Sequence, residues 1–296
     1  MSDYLKDLSP ERRAVFWAQN LPIILIDPNY EVTAHGVMVY DSYPINKINN
    51  LSAFPVEKKI SEHRISSLAY QHLFRHLHAV KLVTKTNMKV LDIGAGECLN
   101  GHFLFQRMKK SIYVAVDLMY NRLVEGINRG FGYEKYIFIQ RDLTRNLPFS
   151  NNQFDIIYAY EAIEYLEKEQ AEKLLAECYR VLKPEGIISI STPNNRGKKI
   201  ADKYKKYKAH GTVGVYEEHP FEASYSELMG WLKNIGFKVT EEYGLDYDHI
   251  SEANFCLGES TAKAVRNYFP SGVARLLLSL QDPQNASFMM IEATKC

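Results

Sequence analysis

The sequence predicts an α/β fold, a doubly wound and mostly parallel sheet with helices on both faces. Two observations carry the prediction. From Met88 onward, apolar segments of strand length alternate with segments of helical period, and strands that alternate with helices imply a parallel sheet. At Val90–Gly101, Val-Leu-Asp-Ile-Gly-Ala-Gly-Glu-Cys-Leu-Asn-Gly, an apolar run ends in Asp92, breaks into Gly94 and Gly96, and passes into a helix pattern. A strand feeding a glycine-opened turn and a helix brings bare backbone against a nucleotide-like ligand.

Taken in order, Ser9 as N-cap and Pro10 at the first helical position start a helix. Leu21–Tyr43 reads as extended, with Asp27-Pro28-Asn29 as a turn. Residues 1–60 are expected to form an aromatic-rich accessory or lid segment, and residues 61–296 the main domain, with an insert at about 195–220. Ser61–Val83 is expected to be a helix, with Ile65, Ala69, Leu73, Leu77 and Val80 as its apolar face and His72 and His76 within that face. Strands are predicted at Lys89–Ile93, Ile112–Asp117, Tyr136–Gln140, Phe154–Tyr160, Gly186–Ser191, Phe237–Tyr243 and Ser287–Thr294. Helices are predicted at Asn100–Lys109, Asn121–Arg129, Lys168–Leu182 and Ser224–Ile235.

Composition narrows the function classes. The 36 basic and 35 acidic residues nearly cancel, which argues against a protein built mainly to coat nucleic acid. Cys98, Cys178, Cys256 and Cys296 show no CxxC spacing, so neither a disulfide framework nor a cysteine-only zinc site is expected. A reducing cytoplasm fits that usage. The polar start is unlike a signal peptide, and no apolar run has the ~18–20 residues that span a bilayer.

Four separate parts of Met88–Asn195 together resemble the class I S-adenosylmethionine-dependent methyltransferases. Val90–Gly96 resembles the family's first motif. Asp117, closing Tyr-Val-Ala-Val-Asp, resembles its ribose-gripping acid. Gln140-Arg-Asp-Leu, Leu147-Pro-Phe and Phe154-Asp-Ile-Ile resemble its third and fourth strand region. Arg180-Val-Leu-Lys-Pro-Glu-Gly-Ile-Ile-Ser-Ile-Ser-Thr-Pro-Asn resembles the passage into its fifth strand. The later Glu218-His-Pro-Phe and Ser226-Glu-Leu recur in the small-molecule O/N-methyltransferase branch. The resemblance implies a seven-stranded sheet whose antiparallel last strand is Ser287–Thr294. It also implies S-adenosylmethionine as cofactor, with S-adenosylhomocysteine as product.

The cofactor's sulfonium already activates its methyl group, so the protein must align donor and acceptor and remove the acceptor's proton. Alignment is worth effective molarities of about 10⁵–10⁸ M. The resemblance assigns cofactor binding to Asp92, Gly94, Ala95, Gly96, Asp117, Leu118, Asp142, Leu143 and Glu161. The glycines admit the methionine end, Asp117 accepts from the ribose hydroxyls, and Asp142 accepts from the adenine amine between Leu118 and Leu143.

A dinucleotide site fits less well, because Leu99 stands where GxGxxG wants its last glycine. Glu161-Ala-Ile-Glu-Tyr resembles a metal-binding Glu-x-x-Glu-His with Tyr165 in place of the histidine, and no metal is assigned. Glu161 and His219 are the candidate catalytic residues, His219 as general base; the other reading of His219 is a loop histidine ordered by Glu217 or Glu218. His72, His76 and Tyr165 are candidate substrate contacts.

The expected acceptor is a small molecule such as a sugar, quinone, lipid or secondary metabolite. Tyr30, Tyr40, Tyr43 and Phe54 of the lid are candidates to stack on it. Two other readings stay open. One is an RNA, DNA or nucleotide methyltransferase using the lysine-rich Arg196–Lys208 segment; the other is a cofactor-binding partner protein without turnover. Oligomeric state is not legible.

Overall fold

The computed structural model describes residues 2–41, 67–104, 107–108, 110–130, 135–196, 219–247 and 257–296. Its strands are β1 (Glu31–Val32), β2 (Val37–Val39), β3 (Lys89–Ile93), β4 (Ile112–Asp117), β5 (Lys135–Gln140), β6 (Phe154–Tyr160), β7 (Leu182–Pro193), β8 (Phe237–Gly244) and β9 (Phe288–Lys295). They form one sheet in the order β1-β2-β5-β4-β3-β6-β7-β9-β8. The pairs from β2 to β7 are parallel, and β9 runs antiparallel between β7 and β8. The expected seven strands with an antiparallel last one are present.

The count differs because two strands come from the N-terminal segment. β2 pairs parallel with β5 in the register Val37↔Phe138 to Val39↔Gln140, and β1 folds back on it. An unpaired β5 edge would expose a row of backbone donors and acceptors, and these strands cover it.

The helices are α1 (Ser2–Lys6), α2 (Pro10–Gln19), α3 (Ser67–Leu82), α4 (Leu99–Leu104), α5 (Tyr120–Arg129), α6 (Lys168–Val181), α7 (Tyr225–Ile235), α8 (Glu259–Tyr268) and α9 (Ser271–Ser279). Local chemistry explains their ends. The Ser9 hydroxyl accepts from the Arg12 N–H at 3.3 Å, with Pro10 in the first turn, as expected. Ser224 and Glu227 form a reciprocal capping box, and Gly236 ends α7 at φ 110°. The helix read as Asn100–Lys109 is described over Leu99–Leu104; residues 105, 106 and 109 lie outside the described residues. α8 and α9 carry no counterpart in the sequence reading.

Alternate residues of the parallel strands feed two cores. Leu91, Ile93, Val114, Val116, Ile157 and Ile188 pack with α6 and α7 on one face. Val90, Tyr113, Ala115, Phe138, Ile156 and Tyr158 pack with α3 and α5 on the other. Burial on both faces is what a doubly wound sheet requires.

α3 corrects the expectation made from its pattern. Leu73 and Leu77 are exposed, at 41% and 55%, while Gln71, Arg75, His76 and His78 are buried at 7% or less. The helix turns a polar stripe toward the sheet. His78 Nε2 contacts the Glu292 carboxylate of β9, and the Tyr158 hydroxyl donates to the Ala79 carbonyl at 2.7 Å. Such a stripe is stable only because most of its groups find partners.

Candidate active site

The glycine turn lies at the carboxyl edge of the sheet, between β3 and α4. Gly94 has φ +65° and Gly96 φ +52°, a region that costs L residues about 1–2 kcal/mol. A Cβ on Gly94 would also lie 2.7 Å from the Ala162 Cβ. The turn therefore passes against the chain leaving β6 with no room for a side chain. It is a cradle of bare backbone.

Polar groups brace the turn from below. Asp92 is buried and accepts from the Tyr113 hydroxyl and from Asn100 Nδ2 at 3.2 Å. Asn100 Oδ1 in turn meets His76 Nδ1 at 2.7 Å, and Phe103 stacks on the same imidazole at 4.9 Å. Burial pushes Asp92 up to about 7 and His76 down to about 4. His76 thus supports the turn as a neutral imidazole.

For Asp92 the linkage sign is clear. A raised folded-state value means its contribution to stability is present at acid pH and lost as pH rises toward 7. Asp92→Asn is expected to gain stability relative to wild type as pH goes from 4 to 8, read by thermal melts across that range. A constant difference between the two proteins would refute the role.

Asp117 closes β4 beneath the cradle. Its carboxylate accepts from Gly96 N and Met119 N, both at 2.7 Å, so it ties the turn to the next strand. Burial raises its pKa, and these backbone hydrogen bonds oppose the rise. Each oxygen keeps a second acceptor site, which suits a ribose diol. Asp142 follows β5 and takes the Thr144 N–H and hydroxyl on Oδ1, at 2.9 and 2.8 Å. Leu143 packs against the core, and Leu118 is held through its carbonyl by Gln140 Nε2 at 3.0 Å. Gly94, Ala95, Gly96, Asp117, Leu118, Asp142 and Leu143 thus share one sheet edge.

Glu161 adopts φ +52°, uncommon for a residue with a side chain. Its carboxylate is paired with Arg75 and accepts from the Ser191 hydroxyl at 3.0 Å. Arg75 also donates to Ser191 at 3.1 Å and contacts His72, which places His72 beside this pair. The sequence reading missed Arg75. Its signal was a cation among histidines on a helix entering the sheet, outweighed there by the leucines.

Glu164 is buried and accepts from Thr192 at 3.0 Å; burial, then the Glu161 charge, pushes it well above the usual carboxylate range. The two glutamates are thus held by Arg75, Ser191 and Thr192, and no metal-binding group of three His, Cys, Asp or Glu occurs among the described residues.

The two acceptor-side candidates meet. Tyr165 and His219 rings are 4.9 Å apart, edge to face. His219 Nδ1 lies 2.7 Å from Glu222 Oε1, with both side chains largely buried. Glu222, three residues later, is an orienting acid that the sequence reading did not name; Glu217 and Glu218 lie outside the described residues.

The lid expectation changes for residues 2–41. Tyr30 and Tyr40 pack on the core, the Tyr40 hydroxyl donates to the Asp27 carbonyl at 2.9 Å, and the Arg141 guanidinium covers its ring at 5.0 Å. They brace the sheet edge. Tyr43 and Phe54 lie outside the described residues, as does Lys198–Lys208 of the basic segment.

Comparison with known proteins agrees with this geometry. Residues 90–186 match the methyltransferase domain family. The phosphoethanolamine N-methyltransferase of Plasmodium falciparum is 35% identical over 165 residues, covering 55% of this chain and 54% of that protein. The ubiquinone biosynthesis O-methyltransferase of Glaesserella parasuis is 26% identical over 208 residues, covering 64% and 82%.

Among solved structures, a candidate methyltransferase from Bacillus halodurans superposes with a TM-score of 0.52 at 18% identity, covering 74% of this chain and 98% of that one. At that identity it shows the fold alone. Residues 90–186 thus carry a methyltransferase domain on a class I, Rossmann-like sheet, the kind whose methyl donor is S-adenosylmethionine. The chain spans about half the length of the phosphoethanolamine relative. Among the described residues, no helix is long and apolar enough to cross a membrane.

Proposed function

We propose that the protein transfers a methyl group from S-adenosylmethionine to an oxygen or nitrogen of a small-molecule acceptor. The cradle fits the donor: a turn that excludes a Cβ, two acids at successive strand ends, and apolar Leu118 and Leu143 between them. When bound, the donor supplies a sulfonium-activated methyl group. Gly94–Gly96 admit its methionine end, Asp117 the ribose and Asp142 the adenine amine. Arg75 and Glu161 pair a cation with an anion at the same edge, which complements the carboxylate and ammonium of a methionine.

His219 is the general base. The observation that carries this is its 2.7 Å contact with Glu222, because an acid on Nδ1 fixes the ring's tautomer and stabilises the imidazolium that forms when the ring takes a proton. Tyr165 packs against the ring and holds its plane. The relatives named above act on a phosphorylated amine and on a quinone precursor, so amines and phenols are the first acceptors to test. A reducing, cytoplasmic setting fits the free thiols of Cys98, Cys178 and Cys296.

His219→Ala is expected to lose about 10²–10⁴-fold in turnover with the affinity for S-adenosylhomocysteine unchanged. Turnover by mass analysis of products and affinity by calorimetry check it. Full turnover in that variant would remove His219 from the mechanism.

A further inference from the structure

The N-terminal segment does more than widen the sheet. Its last described residue, Asp41, reaches the loop assigned to adenine. Asp41 Oδ2 accepts the Asp142 backbone N–H at 3.0 Å. Asp41 Oδ1 pairs with Arg145 at 3.0 Å, and Arg141 lies 3.7 Å from its other oxygen. The Asp41 and Arg141 side chains are each only 10% exposed, so their contact is shielded from solvent screening, whereas Arg145 is 62% exposed.

The strand around it is fixed at several points. Tyr40 N donates to the Gln140 carbonyl at 3.1 Å, directly before the loop begins. Arg141 lies over the Tyr40 ring and 3.6 Å from Asp27, and the Tyr40 hydroxyl holds the Asp27 carbonyl. One carboxylate thus joins the backbone of Asp142 to two arginines of the same loop. Asp142 has its Oδ1 already engaged by Thr144, so Oδ2 is the oxygen left for an adenine amine, and its direction is set by the loop backbone.

We infer that Asp41 is a positioning residue that sets the adenine specificity of the cofactor site by holding Asp142. The inference rests on the reading of Asp142 as the acceptor for the adenine amino group. An acid from outside the methyltransferase domain's strand–helix pattern then decides how well the site distinguishes a 6-amino from a 6-oxo purine. An unheld Asp142 accepts no better from adenine than from a purine lacking that amine.

The test uses the full chain and two ligands, S-adenosylhomocysteine and its 6-oxo analogue S-inosylhomocysteine, measured by calorimetry. Wild type is expected to prefer the adenine ligand. Asp41→Ala is expected to weaken S-adenosylhomocysteine about tenfold, the scale of one lost charge-assisted hydrogen bond. Its affinity for the inosine analogue is expected to stay nearly constant, so the preference collapses. Asp41→Asn, which keeps an acceptor oxygen but loses the arginine pairing, should fall between the two and guards against misfolding of the alanine variant. With an acceptor in hand, KM for the donor rises while kcat at saturation is kept.

A merely structural role would lower the melting temperature and weaken both ligands equally, and that result would overturn the inference. So would an unchanged preference in Asp41→Ala. A wild type that binds S-adenosylhomocysteine without preferring it over the inosine analogue would overturn the Asp142 assignment, and the inference with it. A wild type that binds neither would overturn the cofactor reading itself.

Discussion

Gly94→Ala is expected to weaken cofactor binding steeply while the protein stays folded. Two costs coincide at this position. The backbone sits at φ +65°, which costs an alanine about 1–2 kcal/mol. The new methyl would also lie 2.7 Å from the Ala162 Cβ, and overpacking of this kind costs about 1–3 kcal/mol. The turn can relieve both only by moving away from β6, which displaces Ala95 and Gly96 and breaks the Gly96–Asp117 hydrogen bond. Together the two costs are about 2–5 kcal/mol, a loss in affinity of about 30-fold to several thousand-fold, since every 1.4 kcal/mol is tenfold. Calorimetry with S-adenosylhomocysteine and a circular dichroism spectrum check both halves. An affinity within threefold of wild type would show that this turn does not cradle the donor.

Removing residues 1–41 is expected to leave a chain that does not fold, rather than a folded enzyme without a lid. Trp17, Ile23, Val37 and Met38 are each 6% exposed or less, and burying such side chains contributes about 1.5–3 kcal/mol apiece. Four of them amount to about 6–12 kcal/mol, comparable with the ~5–15 kcal/mol by which a domain is stable. The deletion also strips β2 from β5 and leaves Asp142 without Asp41. Loss of the cooperative thermal transition and aggregation on size exclusion are the expected results. A truncated protein that melts normally and binds cofactor but transfers nothing would restore the lid role.

Much of the fold was legible because it depends on local pattern. β3, β4 and β6 were read at their observed ends, since buried parallel strands are short apolar runs bounded by polar residues or glycine. α7 was legible from Ser224 and Gly236, whose capping roles need only neighbouring backbone. α3 was read as a helix but with the wrong face inward, because helical period reports which side chains share a face and not which face meets the protein. Leu73 and Leu77 are outward because the sheet beneath offers Glu161, Ser191 and Glu292 as partners, and these lie 86 or more positions away from Arg75 or 214 from His78.

By itself, then, the sequence determined the turn and the two strand ends on which the donor reading rests. Gly94 and Gly96 demand a left-handed turn, Asp117 and Asp142 close successive strands, and each requirement is written within a dozen residues. Tertiary structure alone decided the rest: that Arg75 neutralises Glu161, that Glu222 orients His219 against Tyr165, and that Asp41 holds Asp142 across 101 positions of chain. Charge pairing and hydrogen bonding act through space at about 3 Å, and no spacing in a linear chain reports which distant groups the fold will bring that close.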